Sequence, residues 1–291
     1  MLDQAEALRR LVKKNVSDNE EINYNKKAKI ITVTSGKGGV GKSNFIVNLA
    51  LTLRREGKKV LIFDADIGMG NDDILMGMHY KYNIMDVIDG KVSIMDGIIE
   101  GPLGVHLLPG GSGINNIEDL SEEQRQNFIE KIDLVEGYDY ILIDTGAGIN
   151  RTVLAFISSS DEAIFILTPE PTSLTDGYSL LKALNHFDIK THVNIVINRV
   201  LSKDEGSNTY AKFNLAARRF LNIETTYLGY IFEDRNLTMA VRSQIPVTIK
   251  YPNSDAAKSL INVAMKLIGK EDEIKGNGAK GLFKKLFDIF S

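Results

Sequence analysis

The sequence predicts a doubly wound α/β domain, and three observations carry that prediction. Short apolar runs rich in Ile and Val recur along the chain, amphipathic stretches of helical length separate most of them, and the first run leads into a glycine-rich loop followed by a helix. Strands that are apolar on both faces belong to a largely parallel sheet with helices on each side. Ligands of such sheets bind beyond the carboxyl ends of the strands, so the residues after each run carry the functional reading.

The runs are "KIITVT", "KKVLIFDAD", "VHLLP", "YDYILIDT", "AIFILTPE", "HVNIVINRV" and "TTYLGYIF", with crossover helices expected over residues 43–56 and 173–187 among others. Together they define a single domain over residues 29–269. Ahead of it, residues 1–28 read as a short helix and a polar linker. Ala5, Leu8, Leu11 and Val12 recur at helical spacing there, and Asp3 with Glu6 makes an Asp-x-x-Glu start related to the capping box. Beyond it, residues 270–280 read as a flexible linker and 281–291 as an amphipathic helix.

Composition narrows the function. The 291 residues are 43% apolar and 25% charged, ordinary for a globular chain with a buried core. A formal net charge of −3 gives no overall basic surface for coating nucleic acid, and no nucleic-acid partner is expected. Cysteine is absent, which excludes disulfides, thiolate-held zinc and iron–sulfur clusters. The N-terminus lacks a signal-like apolar run, and no 18 consecutive residues are apolar. The expected location is therefore the cytoplasm, with any membrane contact peripheral.

Gly36-x-x-x-x-Gly41-Lys42-Ser43 fits the phosphate-binding P-loop, and it stands between a strand and a helix as that loop requires. Gly36, Lys37, Gly38, Gly39, Val40, Gly41, Lys42, Ser43 and Asn44 form the expected cradle, in which backbone amides and a helix N-terminus surround phosphate oxygens. Lys42 is expected to reach the β- and γ-phosphates, and the Ser43 hydroxyl to coordinate Mg²⁺. The next strand ends at Asp64 and Asp66. Ordinary turn aspartates are one reading; the other sets Asp66 near the γ-phosphate, orienting water or helping to hold Mg²⁺. Asp144, at the end of "YILID", suits an acidic partner of the ion's water shell. The "TGAGI" that follows can approach the γ-phosphate and move when it leaves. Asn198, beside Arg199, ends another strand, where a carboxamide can pair with a purine edge. Lys37 is surplus inside one subunit. It is either a solvated loop lysine or a cation supplied in trans to a second subunit's nucleotide, which can raise phosphoryl-transfer rates by orders of magnitude.

These segments resemble the MinD/ParA ATPases. "SGKGGVGKS" is similar to their deviant Walker A motif, and "DADIGMGNDD", "DTGAGI", "TPEPTSLTDGY" and "INR" follow in the family's order. The resemblance implies an ATP-dependent homodimer that hydrolyses Mg·ATP. It gives Lys37 the role across the dimer, Asp66 that of the switch I aspartate, Asp144 that of Walker B and Asn198 the adenine contact. Lys37, Lys42, Asp66 and Asp144 are the expected catalytic set, and Ser43, Asp66 and Asp144 the expected Mg²⁺ set. The chain departs from the family at Met69 and Asp72, where apolar residues usually flank the asparagine, and in "GYIFEDRN", which lacks a frequent proline.

Two terminal segments bear on purpose. On a helix, Leu282, Phe283, Leu286, Phe287, Ile289 and Phe290 share one face, opposite Lys284, Lys285, Asp288 and Ser291. Such a tethered helix either docks into a groove of its own domain or lies in the plane of an anionic membrane surface. It resembles the membrane-targeting tail of MinD proteins, and a dimer carrying two copies would gain by effective concentration. At the other end "DQAEALRRL", with Asp3, Gln4 and Ala5, resembles the activator segment of the flagellar MinD-like ATPases. That resemblance implies stimulation of a signal-recognition-particle-type flagellar GTPase, contact with flagellar basal-body components, and control of flagellar number or placement. Cell-division site selection and DNA partitioning are the alternatives within the wider family.

Overall fold

The computed structural model describes residues 27–66, 70–111, 120–132, 135, 137–221, 223–269 and 276–290. The expected N-terminal helix, with Asp3, Gln4 and Ala5, lies outside the described residues, as does most of the expected linker.

Among the described residues eight strands form one sheet: β1 (Lys29–Ser35), β2 (Val60–Ala65), β3 (Ile99–Glu100), β4 (His106–Leu108), β5 (Tyr140–Ala147), β6 (Glu162–Leu167), β7 (His192–Val200) and β8 (Glu224–Phe232). Their order across the sheet is β3-β4-β2-β5-β1-β6-β7-β8. Every neighbouring pair is parallel except β3 with β4. All seven apolar runs became strands. The eighth, β3, is a two-residue antiparallel edge, too short to leave a period in the sequence.

The helices are α1 (Lys42–Arg55), α2 (Asp72–Leu75), α3 (Ile84–Ile88), α4 (Ile94–Gly97), α5 (Glu122–Ile132), α6 (Arg151–Ser159), α7 (Pro171–His186), α8 (Lys203–Phe220), α9 (Arg235–Arg242), α10 (Val247–Lys250), α11 (Asp255–Ile268) and α12 (Gly278–Phe290). Their ends follow local chemistry. Asn150, Ser202 and Ser254 each accept a backbone N–H of the first turn of α6, α8 and α11, and Pro171 opens α7 where a missing N–H costs nothing.

Side-chain alternation along the strands divides the core in two. Ile31, Val33, Ile62 and Leu142 pack toward α1 and α11. Ile30, Leu61, Phe63, Ile141 and Ile143 face the other way, into a layer that includes all seven apolar residues of α12, Ala279 among them. The docked alternative is thus what this structure shows for the C-terminal helix. Leu282, Phe283, Leu286, Phe287 and Phe290 are buried, Lys284 and Asp288 are exposed, and the helix begins at Gly278, three residues earlier than expected.

The groove is aromatic. The Phe283 ring lies 4.8 Å from that of Phe128 and 5.5 Å from that of Phe63, and Phe287 lies 5.9 Å from Phe128. Burying each such side chain contributes about 1.5–3 kcal/mol relative to leaving it in water. Three polar groups hold the ends. Asp161 accepts the Asn277 N–H at 3.2 Å just before the helix. At its far end Arg125 donates to the Phe290 carbonyl at 3.2 Å and Arg151 to that of Ile289 at 2.8 Å. Cations placed there also complement the negative end of the helix dipole. None of the helices among the described residues is long and apolar enough to cross a membrane.

Candidate nucleotide site

The loop after β1 turns on glycines that have no substitute. A Cβ on Gly36 would fall 2.2 Å from the Asp176 carbonyl carbon, so the loop lies directly against α7. Gly41 has φ 97, in the left-handed region, and a Cβ there would meet the Asn198 amide nitrogen at 2.4 Å. That turn starts α1 at Lys42 and aims the helix N-terminus across the carboxyl ends of the strands.

The two lysines separate. Lys42 is buried, and its charge acts on Asp144. Lys37 stands on the exposed rim, where its ammonium donates to Glu170 Oε2 at 3.0 Å and Thr172 Oγ1 at 2.9 Å. Both partners lie in "TPEPTS", a segment noted in the sequence only as a family motif. Ser43 is hydrogen-bonded to the Asp144 carboxyl. Asn198 donates to the Val40 carbonyl at 2.7 Å and accepts the Arg199 N–H at 2.9 Å; the Arg199 guanidinium donates to the Gly39 carbonyl at 2.9 Å. These two residues therefore brace the P-loop from behind, a duty their sequence positions did not announce.

The segment after Asp144 is tied to the same loop. The Thr145 hydroxyl donates to the Val33 carbonyl at 3.1 Å and the Gly148 N–H to that of Ser35 at 2.9 Å. Asn150 then caps α6, whose first residue is the Arg151 that holds the end of α12. The P-loop and the C-terminal helix are linked by seven residues of chain.

Charge in the pocket is unbalanced. Asp64 and Asp144 are paired in register on the adjacent strands β2 and β5, and the Asp66 N–H donates to Asp64 at 3.1 Å. Burial, and then the charge of Asp144, push the Asp64 carboxyl up to about 7. Burial raises Asp144 to about 6 against the opposing pull of Lys42 and Ser43. One oxygen of Asp144, Oδ1, is buried without a hydrogen-bond partner among the described residues.

An orphaned carboxylate oxygen beside a P-loop hydroxyl fits a hydrated Mg²⁺, whose waters are donors. Among the described residues no three Asp, Glu or His side chains are grouped to hold one ion. Ser43 and Asp66 both act on Asp144, so the three side chains lie close together, while the buried Asp64 was noted in the sequence but given no role.

Residues 28–198 match the family model described as an AAA domain. The chain is 38% identical to "Antiactivator FleN" of Pseudomonas aeruginosa over 82% of its own length and 85% of that protein's. It is 36% identical to "Flagellum site-determining protein YlxH" of Helicobacter pylori over 89% of both. Among solved structures it resembles a chain of the MinC:MinD cell division protein complex of Aquifex aeolicus, with a TM-score of 0.67 and 29% identity, covering 83% of this chain and 96% of that one. A Mg-ADP complex of the septum site-determining protein MinD from Pyrococcus horikoshii superimposes with a TM-score of 0.66 at 26% identity, covering 85% and 100%.

Proposed function

The chain belongs to the MinD/ParA family of P-loop ATPases, and from that premise we propose that it is an ATP-driven dimerisation switch controlling flagellar number or placement. The flagellar part of this reading rests on the likeness to FleN and YlxH. The dimer rests on one observation: the P-loop carries one lysine inside the pocket and one on the rim, held outward by Glu170 and Thr172.

In the proposed cycle the backbone amides of residues 36–44 and Lys42 bind the triphosphate. Mg²⁺, held through Ser43 and the water-mediated carboxylates Asp66 and Asp144, would neutralise charge on the β- and γ-oxygens. Asp66 orients the attacking water. Lys37 exchanges Glu170 and Thr172 for the γ-phosphate of the partner's ATP, where it stabilises charge as the phosphoryl group transfers. Asn198, already beside the P-loop, offers its remaining amide hydrogen toward the adenine.

The trans role has a direct test by mixing. Lys37→Ala and Asp66→Ala each bind ATP but hydrolyse it poorly. Combined, they form a dimer in which one site has both Asp66 and a donated Lys37, and activity returns. If both variants bind ATP and the mixture stays inactive, the trans lysine is wrong.

The same reading gives α12 two positions. Docked, its apolar face is spent on the groove; released, it binds an anionic membrane, and a dimer presents two copies. Residues 144–150 follow the γ-phosphate and lead into Arg151, so their movement on dimerisation withdraws one holder of the helix end. The N-terminal segment with Asp3, Gln4 and Ala5 would stimulate a signal-recognition-particle-type flagellar GTPase, and basal-body components would be further partners. GTP hydrolysis by that GTPase, measured with a peptide of residues 1–20 and its Gln4→Ala form, tests this arm: no acceleration, or acceleration independent of Gln4, overturns it.

A further inference from the structure

Asp72 is a residue that the cycle above leaves without work. It is the first residue of α2, at a position where the family resemblance leads one to expect an apolar side chain, and it is completely buried. Among the described residues neither of its carboxylate oxygens has a hydrogen-bond partner. The charges that act on it are Asp144, then Asp64, Asp73 and Asp66, all of its own sign, and together with burial they hold its carboxyl well above the usual carboxylate range.

A desolvated carboxylate with no donor and only like charges for company is among the most costly groups a fold can contain. An apolar side chain would pack at this position without that cost, so packing alone does not explain an aspartate. Three buried oxygens in one neighbourhood lack donors: both of Asp72 and Oδ1 of Asp144, whose carboxyl is the one bonded to Ser43. Donors that arrive with a positive charge satisfy both needs, and the water coordinated to a divalent cation is such a donor.

We infer that Asp72 is an additional carboxylate of the Mg²⁺ pocket, accepting hydrogen bonds from the hydrated ion's water alongside Asp144. The inference rests on the Mg·ATP reading and deepens it. Direct ligation of the ion by Asp72 is not part of it. The added charge makes this pocket retain a divalent cation more firmly than the same pocket with an apolar residue at position 72. Asp72 is in this sense a positioning residue for the ion and not a catalytic one.

The test uses the full-length protein saturated with ADP and reads Mn²⁺ binding by electron paramagnetic resonance, with no turnover involved. Removing an outer-shell partner of a metal typically costs about 10–100-fold in affinity. Asp72→Leu should lose that much Mn²⁺ affinity, and Asp72→Asn, of nearly the same shape, should also fall measurably below wild type. The rise in Tm on adding Mg²⁺ to the ADP complex should shrink in the same order. If Asp72→Asn folds and binds Mn²⁺ as wild type does, Asp72 is a buried neutral acid and the inference is wrong. ATP affinity of the wild-type chain, measured in parallel, separates the two readings. Failure to bind Mg·ATP at all would remove the parent reading, whereas normal ATP binding with Asp72-independent Mn²⁺ affinity removes only this one.

Discussion

The groove that holds the C-terminal helix and the pocket beneath the P-loop are both buried, yet they are held in opposite ways. In the groove, apolar side chains meet apolar side chains and the polar ends of the helix find Asp161, Arg125 and Arg151. In the pocket, Asp64, Asp72 and Asp144 crowd together with oxygens left over. A satisfied region is stable without a ligand. One with uncompensated charge is completed by whatever brings cations and donors, and it changes most when that ligand arrives. The chain between them, residues 145–151, joins the part that must respond to the part that must let go.

Four perturbations would break or sharpen this contrast, beginning with the pocket. Lys37→Ala should cut ATP hydrolysis by on the order of 10³-fold, the lower end of what a trans cation supplies in phosphoryl transfer. ATP affinity of the monomer should barely change, since Lys37 is occupied with Glu170 and Thr172. Phosphate-release assays and calorimetry measure the two quantities, and a large loss of affinity would place Lys37 inside its own site instead.

In the groove, Phe283→Ala should lower the free energy of unfolding by about 3–5 kcal/mol, as for a large buried aromatic. A value within about 0.5 kcal/mol, the surface range, would mean the helix is undocked in solution. Urea titration followed by circular dichroism decides between them.

At the junction, Arg151→Ala removes a hydrogen bond to the Ile289 carbonyl and the guanidinium 5.0 Å from the Phe290 ring. Losing about 1–2 kcal/mol of docking should raise nucleotide-free binding to anionic vesicles by about 5–30-fold. Vesicle sedimentation that does not distinguish variant from wild type would disconnect Arg151 from the helix.

The smallest effect uses a built-in reporter. Burial pulls the Lys190 ammonium down to about 8, opposed by Asp161 and assisted by Lys285 of α12. The released form, free of Lys285, binds the Lys190 proton more tightly than the docked one. Between about pH 8 and the ordinary lysine range it therefore carries more protons, and docking strengthens as pH rises through that window. Lys285→Ala should move the Lys190 titration upward, measured by pH-dependent amine labelling. A titration that stays near 8 would mean that burial accounts for the whole shift.

Much of this was legible in the chain itself. Seven strands, the P-loop between β1 and α1, and the apolar face of the last helix follow from period, spacing and residue type, which act over a few neighbouring positions. The two-residue edge β3 left no such period. Other features needed the fold, because they are pairings between residues far apart in sequence. Lys37 meets Glu170 across 133 positions, Asn198 meets Val40 across 158, and Arg125 meets the Phe290 carbonyl across 165. An amphipathic helix also reads the same whether its apolar face is destined for a groove or a bilayer, since both take it out of water. The sequence alone determined that this face had to be buried and that phosphates had a cradle. Tertiary structure decided that the groove receives the face here, and that Asp72, marked in the sequence only as a departure from the family pattern, ends where no donor among the described residues reaches its carboxylate.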